Sequence, residues 1–258
     1  MYAVVTAGGI PQPEEPLYEF TQGGNKALLD IAGKPMIQWV LDALSGAQTI
    51  EHIIVAGLPP DCGLNARKPL TFIPNQGEML ENTRAGIFKA LELDSKSHHV
   101  LYVSSDIPAI TSEMVDWVVN AAMQTDHDFY YNVITRQIME ARYPGSKRSF
   151  IRLRDSEVCG GDMNVIRTLT VTGNDKLWRR IIDSRKSALR QASLIGFDTL
   201  FLLLFHLITL EQGVRLASRR LGIAGRAVLC PYAEVGMDID KPHQLEIVRA
   251  DLARRVLV

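Results

Sequence analysis

Short apolar runs alternate along the chain with longer stretches in which apolar residues recur every three or four positions. Tyr2–Thr6 is apolar and β-branched with no polar interruption, and Gly8-Gly9 ends it, which predicts a strand buried on both faces. Residues 10–25 read as a loop containing Pro11, Pro13, Pro16, Gly23 and Gly24. Pro35 suits the first turn of a helix, and Met36, Val40, Ala43 and Leu44 follow at helical spacing. Residues 53–56 and 71–73 predict a second and a third strand. Residues 78–91 predict a helix with Leu80, Ile87 and Leu91 on one face. Residues 100–104 predict a fourth strand, followed by Asp106 and Pro108, and Thr111 then caps a helix running to residue 124.

This alternation predicts an α/β fold with a mostly parallel sheet flanked by helices. Ligands of such sheets bind at the carboxyl ends of the strands, so the loops after Thr6, Ile73 and Ser105 belong to one candidate site. The second half is less regular. Phe129–Thr135 alternates like a strand. Residues 142–162 are rich in Arg, Gly and Pro and read as an irregular or hairpin insertion. Residues 175–221 read as mostly helical, 226–230 as a late strand, and Pro242–Val256 as a closing amphipathic helix. Internal repeats, low-complexity tracts and linkers are absent from the sequence, which is read as a single domain over 1–258.

Composition narrows the function classes. Hydrophobic residues make up 47% and charged residues 22%, an ordinary globular balance, and the net charge is −1. No global field draws the chain to nucleic acid or an anionic membrane, so a small anionic ligand needs local cations or backbone N–H groups. Cys62, Cys159 and Cys230 form no C-x-x-C pair, which fits reduced thiols in a cytoplasm. The N-terminus has neither the basic region nor the cleavage site of a secretory leader. The most apolar stretch, 193–210, is broken by Gly196, Asp198 and His206 and is expected to be a core helix.

The chemistry-bearing residues cluster at the predicted strand ends. Gly8 and Gly9 let backbone N–H groups approach phosphate oxygens, although a tight turn without ligand accounts for them equally well. Neither a G-x-G-x-x-G fingerprint nor a P-loop occurs. Ala7-Gly8-Gly9, a loop, Lys26-Ala27-Leu28-Leu29 and Gly33-Lys34-Pro35-Met36-Ile37 together resemble the opening of nucleotidyltransferases with a glycosyltransferase-A-like fold. That superfamily includes the molybdenum-cofactor nucleotidyltransferases, the methylerythritol-phosphate cytidylyltransferases and the sugar-phosphate nucleotidylyltransferases.

The resemblance implies roles for particular residues. Lys26 would contact NTP phosphates, beside Ala7, Gly8 and Gly9, while Lys34 is structural or solvated. The segment Asn75-Gln76-Gly77 through Asn82 resembles the part that contacts base and ribose, which makes Asn75, Gly77 and Asn82 nucleotide-binding. Asp106 would be a catalytic Mg²⁺ ligand. Near the C-terminus, Asp238-Ile239-Asp240-Lys241-Pro242 resembles the segment supplying the second ligand. Asp238 and Asp240 would share one side of an extended strand, one binding metal and the other capping the helix at Pro242, with Asp238 favoured as the ligand. Mg²⁺ suits such a set of hard oxygens. Arg148, Arg152 and Asp162, with Lys147, are acceptor-side candidates, although a solvated basic hairpin reads as well; Arg136 and Arg142 stand similarly. His98, His99 and His206 lack companion ligands. The loop 10–25 departs from the family, because it lacks the usual arginine and carries Glu14, Glu15 and Glu19.

The resemblance thus implies a cytoplasmic Mg²⁺-dependent nucleotidyltransferase acting on an NTP and a phosphorylated small molecule, with no nucleic-acid or membrane partner and with a homodimer left open. Residues 1–128 would bind nucleotide, 129–225 would form an acceptor-side elaboration, and 226–258 would carry the C-terminal metal motif. The alternatives are a nucleotide-binding module without turnover and a nucleotide-sugar glycosyltransferase.

Overall fold

The computed structural model describes residues 1–173, 202 and 205–256. Most of the helical region expected over 175–221, including most of the apolar stretch 193–210, therefore lies outside the described residues. Among those described, β1 (Tyr2–Thr6), β4 (His52–Ala56), β5 (Leu70–Ile73) and β6 (His99–Ser104) form the parallel half of one sheet in the order β5-β4-β1-β6. Two two-residue strands, β2 (Asp30–Ile31) and β3 (Lys34–Pro35), pair separately as a hairpin.

The uninterrupted apolar character of β1 has a direct cause. Ala3 and Val5 face one hydrophobic cluster and Val4 faces another, so both sides of the strand are covered. The larger cluster holds Ile37, Val40, Leu41 and Leu44 of α2 (Met36–Gly46) and Val115, Val118 and Val119 of α4 (Ser112–Ala122). Leu245, Val248 and Leu252 of the closing helix α8 (Pro242–Val256) join them. The opposite face is covered by α3 (Met79–Leu93) and the short α6 (Thr168–Thr172). A Cβ on Gly86 would stand 2.2 Å from Val4 Cγ1, so α3 rests on β1 at van der Waals contact.

The second half extends the same sheet and is not purely parallel. Strand β10 (Met163–Arg167) runs antiparallel between β6 and β7 (Phe129–Thr135). Beyond β7 comes the antiparallel hairpin of β9 (Glu157–Gly160) and β8 (Ile151–Arg152), while β11 (Gly225–Leu229) pairs in parallel with β7. The Arg- and Gly-rich insertion therefore contributes a hairpin, as expected, and the chain then turns back at Gly160-Gly161 into a strand that the parallel reading leaves out. The apolar positions of β10 do not alternate, because Met163, Val165 and Ile166 are all buried.

Other local differences have simple origins. Pro35 is the N-cap of α2 rather than its first helical residue, because it also pairs with Asp30. The loop over 10–25 holds one helical turn, α1 (Tyr18–Thr21). The short helix α5 (Arg136–Arg142) is capped by Thr135. Helix α7 (Leu210–Leu221) begins with a reciprocal capping box of Thr209 and Gln212 and ends at Gly222 in the left-handed region. Residues 237–240 form no strand: they follow a 3₁₀ turn, Ala233–Gly236, without ladder pairing.

Candidate functional site

Strand register brings the chemical residues to one level. Thr6 pairs with both Ala56 and Ser104, so the chain leaves β1, β4 and β6 along one edge. Strand β10 enters antiparallel with Met163 opposite Val103, which puts Asp162 on the same edge, and Ser104 N donates to Asp162 O at 2.8 Å. Ile239 N donates to Asp106 O at 3.0 Å, which ties the C-terminal segment to the loop after β6. Lys26 N donates to Gly9 O at 2.9 Å, and Asn25 bonds Ala7 O through Nδ2 while its Oδ1 accepts Ala27 N. Residues as far apart in the chain as Thr6 and Ile239 thus share one edge.

Lys26 Nζ lies 2.7 Å from Asp106 Oδ2 and 2.6 Å from Asp240 Oδ1. Ser104 Oγ donates to the other oxygen of Asp106 at 2.6 Å. Arg148 pairs with Asp238, and Asp238 hydrogen-bonds Asp240. Asp162 faces Asp106, Arg148, Asp240 and Lys26. Four carboxylates are gathered around two cations, and the electrostatics reflect that imbalance. Burial, with the charge of Asp106, raises Asp162 well above the carboxylate range; burial and Asp162 raise Asp238. Burial would raise Asp240 too, but the hydrogen bond from Asp238 and the charge of Lys26 hold it low. Burial disfavours the Lys26 ammonium, yet Asp106 and Asp240 more than offset this and raise it above the lysine range.

A cavity of about 200 Å³ opens beside this cluster, lined by Gly8, Gly9, Lys26, Gly77, Asn82 and Asp106 among others. The two glycines serve different ends. A Cβ on Gly8 would meet Asn75 Oδ1 at 2.6 Å and Asn82 Nδ2 at 2.7 Å, so its lack of a side chain accommodates protein. A Cβ on Gly9 would have nothing within 4 Å. The Gly8 and Gly9 N–H groups donate to no protein acceptor among the described residues. Asn82, 1% exposed, is committed to the loop above it: Nδ2 donates to Asn75 Oδ1 at 2.9 Å and Oδ1 accepts Gln76 N at 2.9 Å. Gly77 N also donates to Asn75 Oδ1, and Asn75 Nδ2 reaches Gly8 O. Asn82 therefore shapes the cavity wall, and Asn75 and Gly77 form its exposed rim.

The acceptor-side candidates separate. Arg148 and Asp162 lie with the carboxylates. Arg152 is exposed on the hairpin, paired with Glu157 at 2.8 Å. A cleft of about 450 Å³ beside Arg148 is lined by Arg136, Lys147 and Phe150. Arg142 is structural: Nε meets Glu234 at 2.7 Å and Nη2 meets Asp251 at 2.7 Å, joined by Arg255. That buried network braces the 3₁₀ turn leading to Asp238. Lys34 pairs with Asp42, and His99 and His206 bond backbone carbonyls. Neither Asp238 nor Asp240 caps α8; the N–H groups of Asp240 and Lys241 are accepted by Gln244 Oε1. Sequence reasoning missed Ser104 as a partner of Asp106 and Asn25 as the organiser of the Lys26 turn. An Asn directly before the lysine motif was the available signal for the latter.

Asp106 and Asp240 offer the hard oxygen donors that suit a divalent cation, which commonly takes one or two carboxylates and fills its other positions from substrate phosphate and water. Among the described residues no three Asp, Glu, His or Cys groups already stand at metal-ligand spacing; Lys26 stands between Asp106 and Asp240, and Arg148 against Asp238. No described helix is long and apolar enough to cross a membrane.

A family model described as a MobA-like NTP transferase domain matches residues 4–190. A curated relative from Thermococcus kodakarensis, described as a probable molybdenum cofactor guanylyltransferase, is 29% identical over 99 residues, covering 38% of this chain and 45% of that protein. The match thus spans less than half of that relative. A solved structure described as a hypothetical transferase from Thermus thermophilus superposes with a TM-score of 0.80 at 33% identity, covering 95% of this chain and 98% of its own. A CMP:2-keto-3-deoxy-manno-octonic acid synthetase complexed with CTP matches at 0.58 and 17% identity over 98% of this chain and 99% of its own. A 2-C-methyl-D-erythritol 4-phosphate cytidylyltransferase from Thermus thermophilus matches at 0.53 and 17% over 98% of both chains. At these last identities the likeness is one of fold.

Proposed function

The chain belongs to the family of MobA-like NTP transferase domains, and from that premise we propose that it transfers a nucleotidyl group from an NTP to a phosphorylated small-molecule acceptor, releasing pyrophosphate, with a divalent cation such as Mg²⁺. The observation that carries the reading is the convergence of Asp106 and Asp240 on Lys26 beside the glycine-lined cavity.

The residues divide the work. The free N–H groups of Gly8 and Gly9 offer donors to phosphate oxygens, and Gly9 leaves room for them. Lys26 supplies a mobile positive charge to the triphosphate. Asp106 and Asp240 would hold the cation, oriented by Ser104 and by Asp238 respectively. When bound, such an ion neutralises charge on the reacting phosphate oxygens. Arg148 and the neighbouring cleft would take the acceptor's anionic group, its oxygen attacking the α-phosphorus as pyrophosphate leaves. Transfer of this kind depends on positioning and charge neutralisation rather than on a protein nucleophile. Asp240 replaces Asp238 as the favoured second ligand, because Asp240 and Asp106 address one cation whereas Asp238 is held by Arg148.

The test is pyrophosphate release with each of four NTPs, a set of phosphorylated acceptors, and Mg²⁺ or EDTA. Nucleotide binding without release under every combination would favour the module without turnover, a reading supported by the absence of an arginine from the loop over 10–25.

A further inference from the structure

In the proposed reaction Lys26 has two tasks that its position makes exclusive. Its ammonium bridges Asp106 and Asp240 at 2.7 and 2.6 Å. An ion ligated by both carboxylates would need the same gap, at roughly 2.1 Å from each oxygen for Mg²⁺. Cation and ammonium would repel at that range as well as collide. Arg148 is engaged by Asp238 and does not take the place between Asp106 and Asp240.

The structure also provides Lys26 with somewhere to go. The base of its side chain is fixed by the bond from its N–H to Gly9 O and by the Asn25 cap. The four-carbon stem above is flexible. Lys26 lines the cavity of Gly8, Gly9 and Gly77, and it also lines a second recess with Ile10, Glu15 and Lys241. The loop over 10–25 has no arginine or lysine. That loop therefore offers no cationic side chain to replace Lys26 at the phosphates.

We propose that Lys26 and the divalent cation are alternative partners of Asp106 and Asp240, and that a triphosphate opens the metal site by drawing the ammonium to its own oxygens. The inference rests on the metal-dependent reading above and adds a linkage to it. Nucleotide tightens metal by removing a competitor, and metal tightens nucleotide by the same factor. Metal alone binds weakly, because it must displace a lysine already paired with both carboxylates.

The experiment is Mn²⁺ binding, followed by electron paramagnetic resonance of the free ion, on the full chain without nucleotide. Wild type is compared with Lys26→Met, with the exposed neighbour Lys241→Met, and with Lys26→Met combined with Asp106→Asn. Melting curves check that each variant is folded. Removing the competitor is expected to tighten Mn²⁺ binding on the order of tenfold in Lys26→Met, and the double variant loses that gain. Lys241→Met, which removes the same charge without touching the carboxylates, stays within about twofold of wild type. The proposal is overturned if Lys26→Met binds Mn²⁺ no more tightly than wild type, if Lys241→Met gains as much, or if Asp106→Asn leaves the gain intact. Metal-dependent turnover of wild type with any of these results would overturn the inference alone; turnover indifferent to metal would remove the reading beneath it.

Discussion

Three aspartates near one another carry different burdens because each has a different partner. Asp106 and Asp240 share Lys26, whereas Asp238 stands against Arg148 and hydrogen-bonds Asp240. Asp240→Asn should therefore lower Mg²⁺-dependent pyrophosphate release by about 100-fold or more, as should Asp106→Asn. Asp238→Asn keeps a hydrogen-bond donor toward Asp240 and should cost about tenfold or less. Parallel rate and melting measurements on the three variants check this, and equal losses at 238 and 240 would count against the division. A second expectation follows from Asp162 and Asp238, whose raised values mean that the native state holds protons the unfolded state gives up. Stability from such groups is complete below the ordinary carboxylate range and is lost as pH rises through their elevated native values. In EDTA, Asp162→Asn should thus melt progressively above wild type as pH goes from about 4 to about 7, and the difference should level off above that. A difference that shrinks with pH would contradict this sign. The sequence exposed Lys26 and Asp106, because each sits just past a recognisable strand or within a local motif. It hid the pairing of Arg148 with Asp238 and the place of Asp162, because those contacts join segments that touch only after the sheet assembles.

Elements hold these residues through contacts that tolerate little change. Helix α3 meets β1 where Gly86 faces Val4, and an added methyl would sit 2.2 Å from Val4 Cγ1. Gly86→Ala should destabilise by about 1–3 kcal/mol despite alanine's better helix propensity. A melting temperature unchanged or raised would mean that the helix shifts freely. The network of Arg142, Glu234, Asp251 and Arg255 joins α5 and α8 to the turn before Asp238. Arg142→Ala leaves Glu234, whose side chain is 7% exposed, with only the distant Arg255, so a loss of about 2–3 kcal/mol is expected with reduced turnover. Chemical denaturation and kcat measurements check both parts. Most elements were legible because apolar runs bounded by glycine or proline are strong signals; Tyr2–Thr6, Phe129–Thr135 and Pro242–Val256 appear with the expected bounds. Strand β10 was not, since its buried positions lack alternation and nothing local reveals that it runs against β6. The extended strand expected at 238–240 failed for a related reason: Ile239 bonds the Asp106 carbonyl instead of a strand partner.

Across the whole molecule, a near-neutral chain gathers one compact cluster of opposite charges at one edge of one sheet. The net charge of −1 conceals four carboxylates facing a lysine and an arginine. The parallel half supplies the glycine turn, Lys26 and Asp106; the mixed half supplies Asp162 and Arg148; the C-terminal segment closes the cluster with Asp238 and Asp240. The most direct measurement of this account is pyrophosphate release by the wild-type chain with four NTPs and phosphorylated acceptors, run with Mg²⁺ and with EDTA beside Asp106→Asn. The account predicts release with at least one NTP that requires both acceptor and Mg²⁺ and falls by about 100-fold or more in the folded variant. Release that persists in EDTA, or that Asp106→Asn leaves at the wild-type rate, would contradict it.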